Sequence, residues 1–275
     1  MRKNLSALVI TWNEESNLPE CLSSLAFADE IVVVDSGSTD RTPEIARQAG
    51  AALYDHPWEG YGPQKNFGME QASGDWILIL DADERVTAEL RAEIDRVVTA
   101  DALSPAAWSI PRKNHLYGRW LAHGGAYPDR QIRLFRRGKA RYNDVDVHEN
   151  LIVDGAVGEL ASPMLHFSEK NVTQWIARMN RYTTLSARVK LRSGWRGKVG
   201  ALDLLLRPLN TFFKFYVRKR GFLDGVPGLV WAAMGGVYTL FKYVKLYEEG
   251  IGVTDRTGEG TPPVPPKGGP PGRTG

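Results

Sequence analysis

Two apolar runs in this chain each end in acid: Ile31-Val32-Val33-Val34-Asp35-Ser36-Gly37-Ser38-Thr39-Asp40 and Trp76-Ile77-Leu78-Ile79-Leu80-Asp81-Ala82-Asp83-Glu84. A short continuous apolar run bounded by turn residues predicts a strand buried on both faces, as parallel sheets require. Ligands of open parallel sheets sit outside the carboxyl ends of such strands. Asp35, Asp81 and Asp83 are therefore expected at the edge where a ligand lies. If extended backbone continues past Leu80, Asp81 and Asp83 share one face and Ala82 takes the other. Two hard oxygen ligands on one face suit a divalent cation carrying phosphates.

Up to Val98 the chain alternates strand and helix signals. Strands are expected at Ala7–Ile10, Ile31–Val34, Ala51–Tyr54 and Trp76–Leu80. A helix starts near Ser16, with Leu18, Cys21, Leu22 and Leu25 at helical spacing. Others are expected at Pro43–Ala49, capped by Ser38 or Thr39, at Gln64–Ala72, and at Thr87–Val98. This βαβ alternation predicts an α/β fold: a Rossmann-like, mostly parallel sheet flanked by helices. From Ala107 the texture changes to strands at Trp108–Pro111, Gln131–Phe135 and Leu151–Val153, separated by Gly- and charge-rich loops. Residues 171–192 read as helix. The stretch 250–275 is rich in Gly, Pro and Thr and is expected to be disordered.

Composition narrows the choices further. One cysteine, Cys21, excludes an intrachain disulfide and a cysteine-based zinc cluster. The opening apolar run Leu5–Ile10 breaks at Thr11-Trp12-Asn13-Glu14 and reads as a buried strand, not as a signal peptide. The net charge of +3 is modest, but residues 171–220 hold 12 Lys/Arg and one acid, Asp203. That asymmetry points to a polyanionic or membrane partner. Phe212, Phe213, Phe215 and Tyr216 interleave with Lys214, Arg218, Lys219 and Arg220, a mixture suited to the headgroups of an anionic membrane surface. The following uncharged segment, Gly225–Phe241, has only 17 residues, fewer than the roughly 20 a spanning helix needs. It is expected at the membrane interface or packed within a subdomain. A solvated basic face over a small core is the rival reading. No nucleic-acid signature accompanies these cations, so no nucleic-acid partner is expected.

Four motifs follow in order: Thr11-Trp12-Asn13-Glu14-Glu15, Val34-Asp35-Ser36-Gly37-Ser38-Thr39-Asp40, Gln64-Lys65-Asn66 and Leu80-Asp81-Ala82-Asp83. Together they resemble glycosyltransferase family 2, inverting, metal-dependent enzymes of the GT-A fold that use nucleotide-sugar donors. Tyr117-Gly118-Arg119-Trp120, His123-Gly124-Gly125, Arg133-Leu134-Phe135-Arg136-Arg137, Val147-His148-Glu149 and Gly221-Phe222-Leu223-Asp224-Gly225 extend the likeness to one subgroup, the lipopolysaccharide-core and cell-envelope glucosyltransferases. The resemblance implies that Thr11, Trp12 and Glu14 line the nucleotide base and that Asp35 accepts a hydrogen bond from it. It places Lys65 and Asn66 near the nucleotide or its phosphates. Asp81 would face ribose and metal, with Asp83 the principal ligand of Mg²⁺ or Mn²⁺. It further implies a nucleotide-sugar-binding half in 1–106, an acceptor and catalytic-base half in 107–170, and a basic helical, membrane-associating region in 171–249. The donor would be UDP-glucose, the acceptor a membrane-linked glycolipid, and the location the cytoplasmic face of the inner membrane, held peripherally.

An inverting displacement needs a base for the acceptor hydroxyl on the face opposite the leaving group. Asp129, Asp144, Asp146 and Glu149 are the candidates. Glu149 matches the subgroup's His-Glu pair and is preferred, with His148 as its orienting neighbour or a phosphate contact and Asp129 in reserve. Each assignment has a structural rival. Asp35 could close a turn, the Asp81/Asp83 pair could favour a helix start, Lys65 could be solvated, and Arg133, Arg136 and Arg137 could flank an edge strand. The alternative for Arg133 and Arg136 is contact with an anionic acceptor or its phosphates. The Asp-x-Asp string also resembles haloacid dehalogenase phosphatases, but these need Thr or Val where Arg85 stands and carry the pair on their first strand. A nucleotidyltransferase would need a Gly-rich phosphate loop near the start. A processive polymerase would need Gln-x-x-Arg-Trp, and Leu116 stands where the glutamine belongs. An inactive nucleotide-sugar-binding membrane scaffold is the non-enzyme alternative.

Overall fold

The computed structural model describes residues 4–100, 105–116, 118–143, 150–169, 172–195 and 198–250. They form two compact units. Of the described residues, one takes the chain up to Arg112 with Arg130–His166, the other Lys113–Asp129 with 167–250.

The first unit opens with β1 (Leu5–Thr11), α1 (Leu18–Ser24), β2 (Glu30–Asp35), α2 (Thr42–Gln48), β3 (Ala52–Asp55), α3 (Tyr61–Gln71), β4 (Trp76–Asp81), β5 (Glu84–Arg85) and α4 (Ala88–Thr99). In chain order there follow β6 (Ala107–Leu116), β7 (Arg119–Trp120), β8 (Asp129–Arg136), β9 (Ala140–Tyr142), β10 (Leu151–Val153), β11 (Val157–Glu159) and β12 (Met164–Glu169), of which β7 and the ends of β6 and β12 belong to the second unit. The main sheet runs β3-β2-β1-β4-β8-β6-β12-β5. The strands β3, β2, β1 and β4 are parallel, as expected. Next to β4 the direction changes, because β8 lies antiparallel to it, while β11 pairs in parallel with β6. The result is a mixed Rossmann-like sheet with flanking helices.

The continuous apolar runs follow from cover on both faces. Along β1, Ala7 and Val9 pack with Leu18, Leu22, Leu90 and Ile94, while Leu8 and Ile10 join Val32, Val34, Ile79 and Phe135 on the other side. Helix α4 is capped by Thr87, whose hydroxyl accepts from the Leu90 N–H at 3.2 Å. The expected cap of α2 differs. Arg41 takes the cap position without a side-chain bond, and Asp40 Oδ1 accepts the Thr42 N–H at 2.9 Å. Ser38 is committed to Asp35 instead. The edge-strand reading of Arg133, Arg136 and Arg137 is also corrected, since the strand β8 that carries Arg133 and Arg136 lies between β4 and β6.

The second unit contains α5 (Val172–Arg192), α6 (Ala201–Phe213), a π-helical turn at Lys214–Arg218, a 3₁₀ turn at Gly221–Asp224, and α7 (Gly225–Gly250). Helices α6 and α7 run antiparallel: Arg207 lies over the Tyr243 ring, Thr211 bonds Thr239, and Phe215 abuts Gly235. No described helix is long and apolar enough to cross a membrane. Of the expected tail, Gly250 closes α7 and the rest lies outside the described residues.

Two of the subgroup motifs form one joint in this unit. Asp224 accepts from the His123 backbone N–H and contacts His123 Nδ1, both at 2.8 Å. The Gly124 N–H bonds the Lys219 carbonyl at 2.9 Å, and Trp231 Nε1 donates to the Gly124 carbonyl at 3.3 Å. Gly228 sits so close to the Gly221 carbonyl that there is no room for a Cβ at that position. Close packing explains Gly124, Gly125, Gly221 and Gly228, whereas Gly225 answers to its backbone, at φ +63°.

Candidate active site

Parallel register brings three carboxyl-end loops together, because Thr11 pairs with Asp35 and Ile10 with Asp81. The sheet order reverses direction here, with β2 on one side of β1 and β4 on the other. Such a crevice is where α/β sheets place ligands.

The β1 and β2 loops are tied by a buried network. Asp35 accepts from Thr11 Oγ1 at 3.0 Å, from the Ser38 N–H at 2.8 Å and from Ser38 Oγ at 2.5 Å. Asp35 thus closes the turn, which passes through Gly37 at φ +77°, a region that disfavours side chains. Asn13 joins the two loops, its N–H donating to Ser38 Oγ and its Oδ1 accepting from the Thr39 N–H, each at 2.8 Å. Trp12 is buried, and the buried Glu14 accepts from Asn17 Nδ2 at 2.6 Å. Gln64 is fully buried and donates to Ser36 Oγ and the His56 carbonyl.

The third loop holds the charge. Extended backbone does not continue through Asp81 and Asp83, as the shared-face expectation required; Ala82-Asp83 form a turn between β4 and β5. Two neighbours set that turn. Glu84 Oε2 accepts the Asp81 N–H at 2.9 Å, and Arg85 Nη1 donates to the carbonyls of Ala82 and Glu84, both at 2.8 Å. Asp81, one-third exposed at its side chain, meets Arg133 Nη2 at 2.7 Å and Lys65 Nζ at 3.6 Å. Glu84 is fully buried and accepts from the same Arg133 Nη2 at 2.7 Å and from Arg112 Nη1 at 3.2 Å. Asp83 is buried, with Oδ2 3.6 Å from His166 Nε2. The pairing of β12 with β5 places His166 opposite Glu84.

Burial alone would raise the Asp81 pKa, but the Arg133 and Lys65 cations outweigh it and hold the carboxyl well below the usual range. Burial would likewise lower the Arg133 pKa, and Asp81 with Glu84 drives it upward instead. A carboxylate with a depressed folded-state pKa stabilises the fold above its unfolded value of about 3.9 and loses that contribution as pH falls below it. Thermal unfolding midpoints, followed from about pH 7 to about pH 3, should therefore drop most steeply below about pH 4. Asp81→Asn should flatten that drop, and an equally steep profile in the variant would contradict the assignment.

The remaining expected residues divide. Lys65 is buried rather than solvated, between Asp81 and the rings of Tyr142 and Tyr61. Asn66 is spent on backbone: its Nδ2 donates to the Tyr142 carbonyl and its Oδ1 accepts the Tyr142 N–H. Arg133 belongs to the cluster. Arg136 does not, because it pairs with Trp76 at the opposite end of β4 and stacks on that ring at 4.7 Å. Its expected phosphate contact at this site is corrected accordingly. Asp129 lies in the second unit, where it accepts from Asn114 Nδ2 at 3.2 Å. Asp144, Asp146, His148 and Glu149 lie outside the described residues. Sequence reasoning gave no role to Glu84, whose signal was being the third acid of its string. It also passed over Arg112 and His166, which only strand pairing brings to the loop.

Asp83 and His166 offer a carboxylate oxygen and an imidazole nitrogen close enough to share one cation. Among the described residues, no group of three or more His, Cys, Asp or Glu side chains is placed to hold a metal. A cation here would complete its shell with phosphate oxygens and water, as Mg²⁺ and Mn²⁺ do. The donor set fits on those terms.

Comparison with known proteins places this geometry. The family model described as glycosyl transferase family 2 matches residues 6–145. The lipopolysaccharide core biosynthesis glycosyltransferase LpsC of Rhizobium meliloti (strain 1021) is 34% identical over 252 residues, 89% of this chain and 92% of that protein. An uncharacterized glycosyltransferase of Rickettsia conorii (strain ATCC VR-613 / Malish 7) is 26% identical, covering 91% of this chain and 92% of its own. Among solved structures, the mannosyltransferase PcManGT from Pyrobaculum calidifontis, in complex with GDP-Man and Mn²⁺, superposes with a TM-score of 0.53 at 17% identity. It covers 90% of this chain and 88% of that one, a likeness of fold. The family motifs sit in order on one sheet edge, and a glycosyltransferase relative aligns along nearly the whole length: the chain belongs to glycosyltransferase family 2, with a GT-A-like fold.

Proposed function

We propose that this enzyme transfers one hexose, glucose from UDP-glucose, with inversion, to a membrane-linked glycolipid of the lipopolysaccharide-core type. The observation that carries the reading is the charged loop at the carboxyl end of β4, where Asp83 faces His166 beside the Asp81–Arg133–Glu84 cluster. The name of the Rhizobium meliloti relative supports the acceptor class. Glucose and uridine rest on the subgroup resemblance.

The loop residues would divide the work. Asp35 keeps lone-pair capacity beyond its three bonds and accepts an N–H of the base. Thr11, Trp12 and Glu14 shape the wall around it. Lys65 and Arg133 place two cations where the leaving diphosphate gathers negative charge, a preorganised stabilisation. Asn66 acts indirectly, by fixing Tyr142. Asp83 with His166 would hold a Mg²⁺ or Mn²⁺ ion, while the charge of Asp81 is matched by Arg133 and Lys65. When bound, that ion supplies Lewis acidity toward the diphosphate. Glu149 takes the proton of the acceptor hydroxyl, His148 orients it, and Asp129 is the reserve base.

The test is a transfer assay with UDP-glucose, Mn²⁺ and lipid-linked core oligosaccharide, the product linkage read by NMR. An inverted anomeric configuration is expected. Glu149→Gln should retain donor binding while transfer falls by about 10²–10⁴. Normal transfer by that variant would move the base to Asp129 or Asp146. Donor binding without transfer to any lipid acceptor would favour the inactive scaffold.

A further inference from the structure

In the second unit the helical hairpin of α6 and α7 leaves an apolar face uncovered. On α6, Leu202, Leu205, Leu206, Leu209 and Phe213 are all exposed, from 45% to 70%, at helical spacing of one stripe. On α7, Val226, Leu229, Val237 and Phe241 form a second exposed stripe. Each helix turns another side to its partner, Pro208, Thr211 and Phe212 from α6, continued by Phe215 of the π-helical turn, against Gly235, Gly236 and Thr239 from α7. At about 100° per residue both stripes are offset from that packing side by a similar angle in the same rotational sense. In an antiparallel pair this puts the two stripes on one common face of the hairpin. Its connecting tip adds exposed Val217, Phe222 and Leu223 to the cations Lys214, Arg218, Lys219 and Arg220.

We infer that this face lies in the plane of an anionic membrane surface, with the leucine and phenylalanine stripes in the acyl boundary and the tip cations among lipid phosphates. The inference deepens the proposed function, because it rests on the acceptor being membrane-linked and names the surface that meets the lipid. Charge selects the occupant. Among the described residues no carboxylate forms an ion pair with Lys214, Arg218, Lys219 or Arg220, and Asp224 at the tip is taken by His123. A second copy on this face would set the two cationic tips against apolar or like-charged surface, whereas an anionic leaflet complements both components. Neither helix is apolar enough to cross, so the hairpin lies flat.

The full chain should co-sediment with vesicles of phosphatidylcholine containing phosphatidylglycerol, more weakly as salt rises, and should leave vesicles of phosphatidylcholine alone in the supernatant. Leu205→Asp with Leu209→Asp, both exposed positions, should weaken binding at least about tenfold. Arg218→Ala and Lys219→Ala should each cost about fivefold. UDP-glucose binding by the same variants, read by thermal shift, should match the parent, which separates failure of this surface from failure of the donor site. Equal binding to neutral and anionic vesicles, or unchanged binding by the leucine variant, would overturn the inference. So would a stable dimer in sedimentation equilibrium that the leucine variant dissolves, since the face would then belong to a second copy.

Discussion

Glu84→Ala is expected to cost about 3–5 kcal/mol of stability, the range for removing one partner of a buried ion pair. The Glu84 carboxylate is fully buried and receives Arg133, Arg112 and the Asp81 N–H. Its removal takes one of two carboxylate partners from the buried Arg133 guanidinium, whose Nε already lacks a hydrogen-bond partner and which keeps Asp81. It also frees the backbone N–H that fixes where Asp81 leaves the sheet. At a few degrees per kcal/mol for a domain of this size, the unfolding midpoint should fall by about 10 °C. Glu84→Gln keeps an acceptor in place and should lose less. A midpoint for Glu84→Ala close to that of the parent would show that the cluster contributes little.

Asp83→Ala should remove divalent-metal binding while sparing the fold. The side chain sits on a turn held by Glu84 and Arg85, so its loss leaves the turn's own bonds in place. Free Mn²⁺ measured by electron paramagnetic resonance, in the presence of UDP, should report a loss of affinity on the order of 10²-fold. Turnover should fall by about 10²–10³ or more, as when a developing charge loses its stabiliser. His166→Ala should weaken Mn²⁺ in the same assay by roughly tenfold. Unchanged turnover by Asp83→Ala with metal chelated would remove the metal role.

Much of this was legible because local pattern and tertiary context agreed. The runs Ile31–Val34 and Trp76–Leu80 are apolar on both sides, and the structure covers both sides. The motifs also landed together, since parallel register carries Thr11, Asp35 and Asp81 to one edge. What was missed depends on pairing between distant segments. His166 lies in an apolar run with no local signal, and only the β12–β5 pairing brings it beside Asp83. Arg133 and Arg136 read alike in sequence, yet three residues along β8 separate a buried partner of Asp81 from a cation stacked on Trp76. The shared face assumed for Asp81 and Asp83 failed because side-chain bonds from Glu84 and Arg85 turn the backbone between them. Ser38 did not cap α2 because the nearer Asp35 claimed it, leaving Asp40 to bond the Thr42 N–H.

The central claim is that the edge formed by β1, β2 and β4 holds a nucleotide-sugar donor through Asp83 and a divalent cation. Isothermal titration of UDP-glucose and other nucleotide hexoses into the full chain, with Mn²⁺ and with chelator, tests it directly. Saturable binding that needs Mn²⁺ in the parent and disappears in Asp83→Ala is the expected result. Absence of binding by every nucleotide hexose, or equal binding by parent and Asp83→Ala with metal chelated, would contradict it.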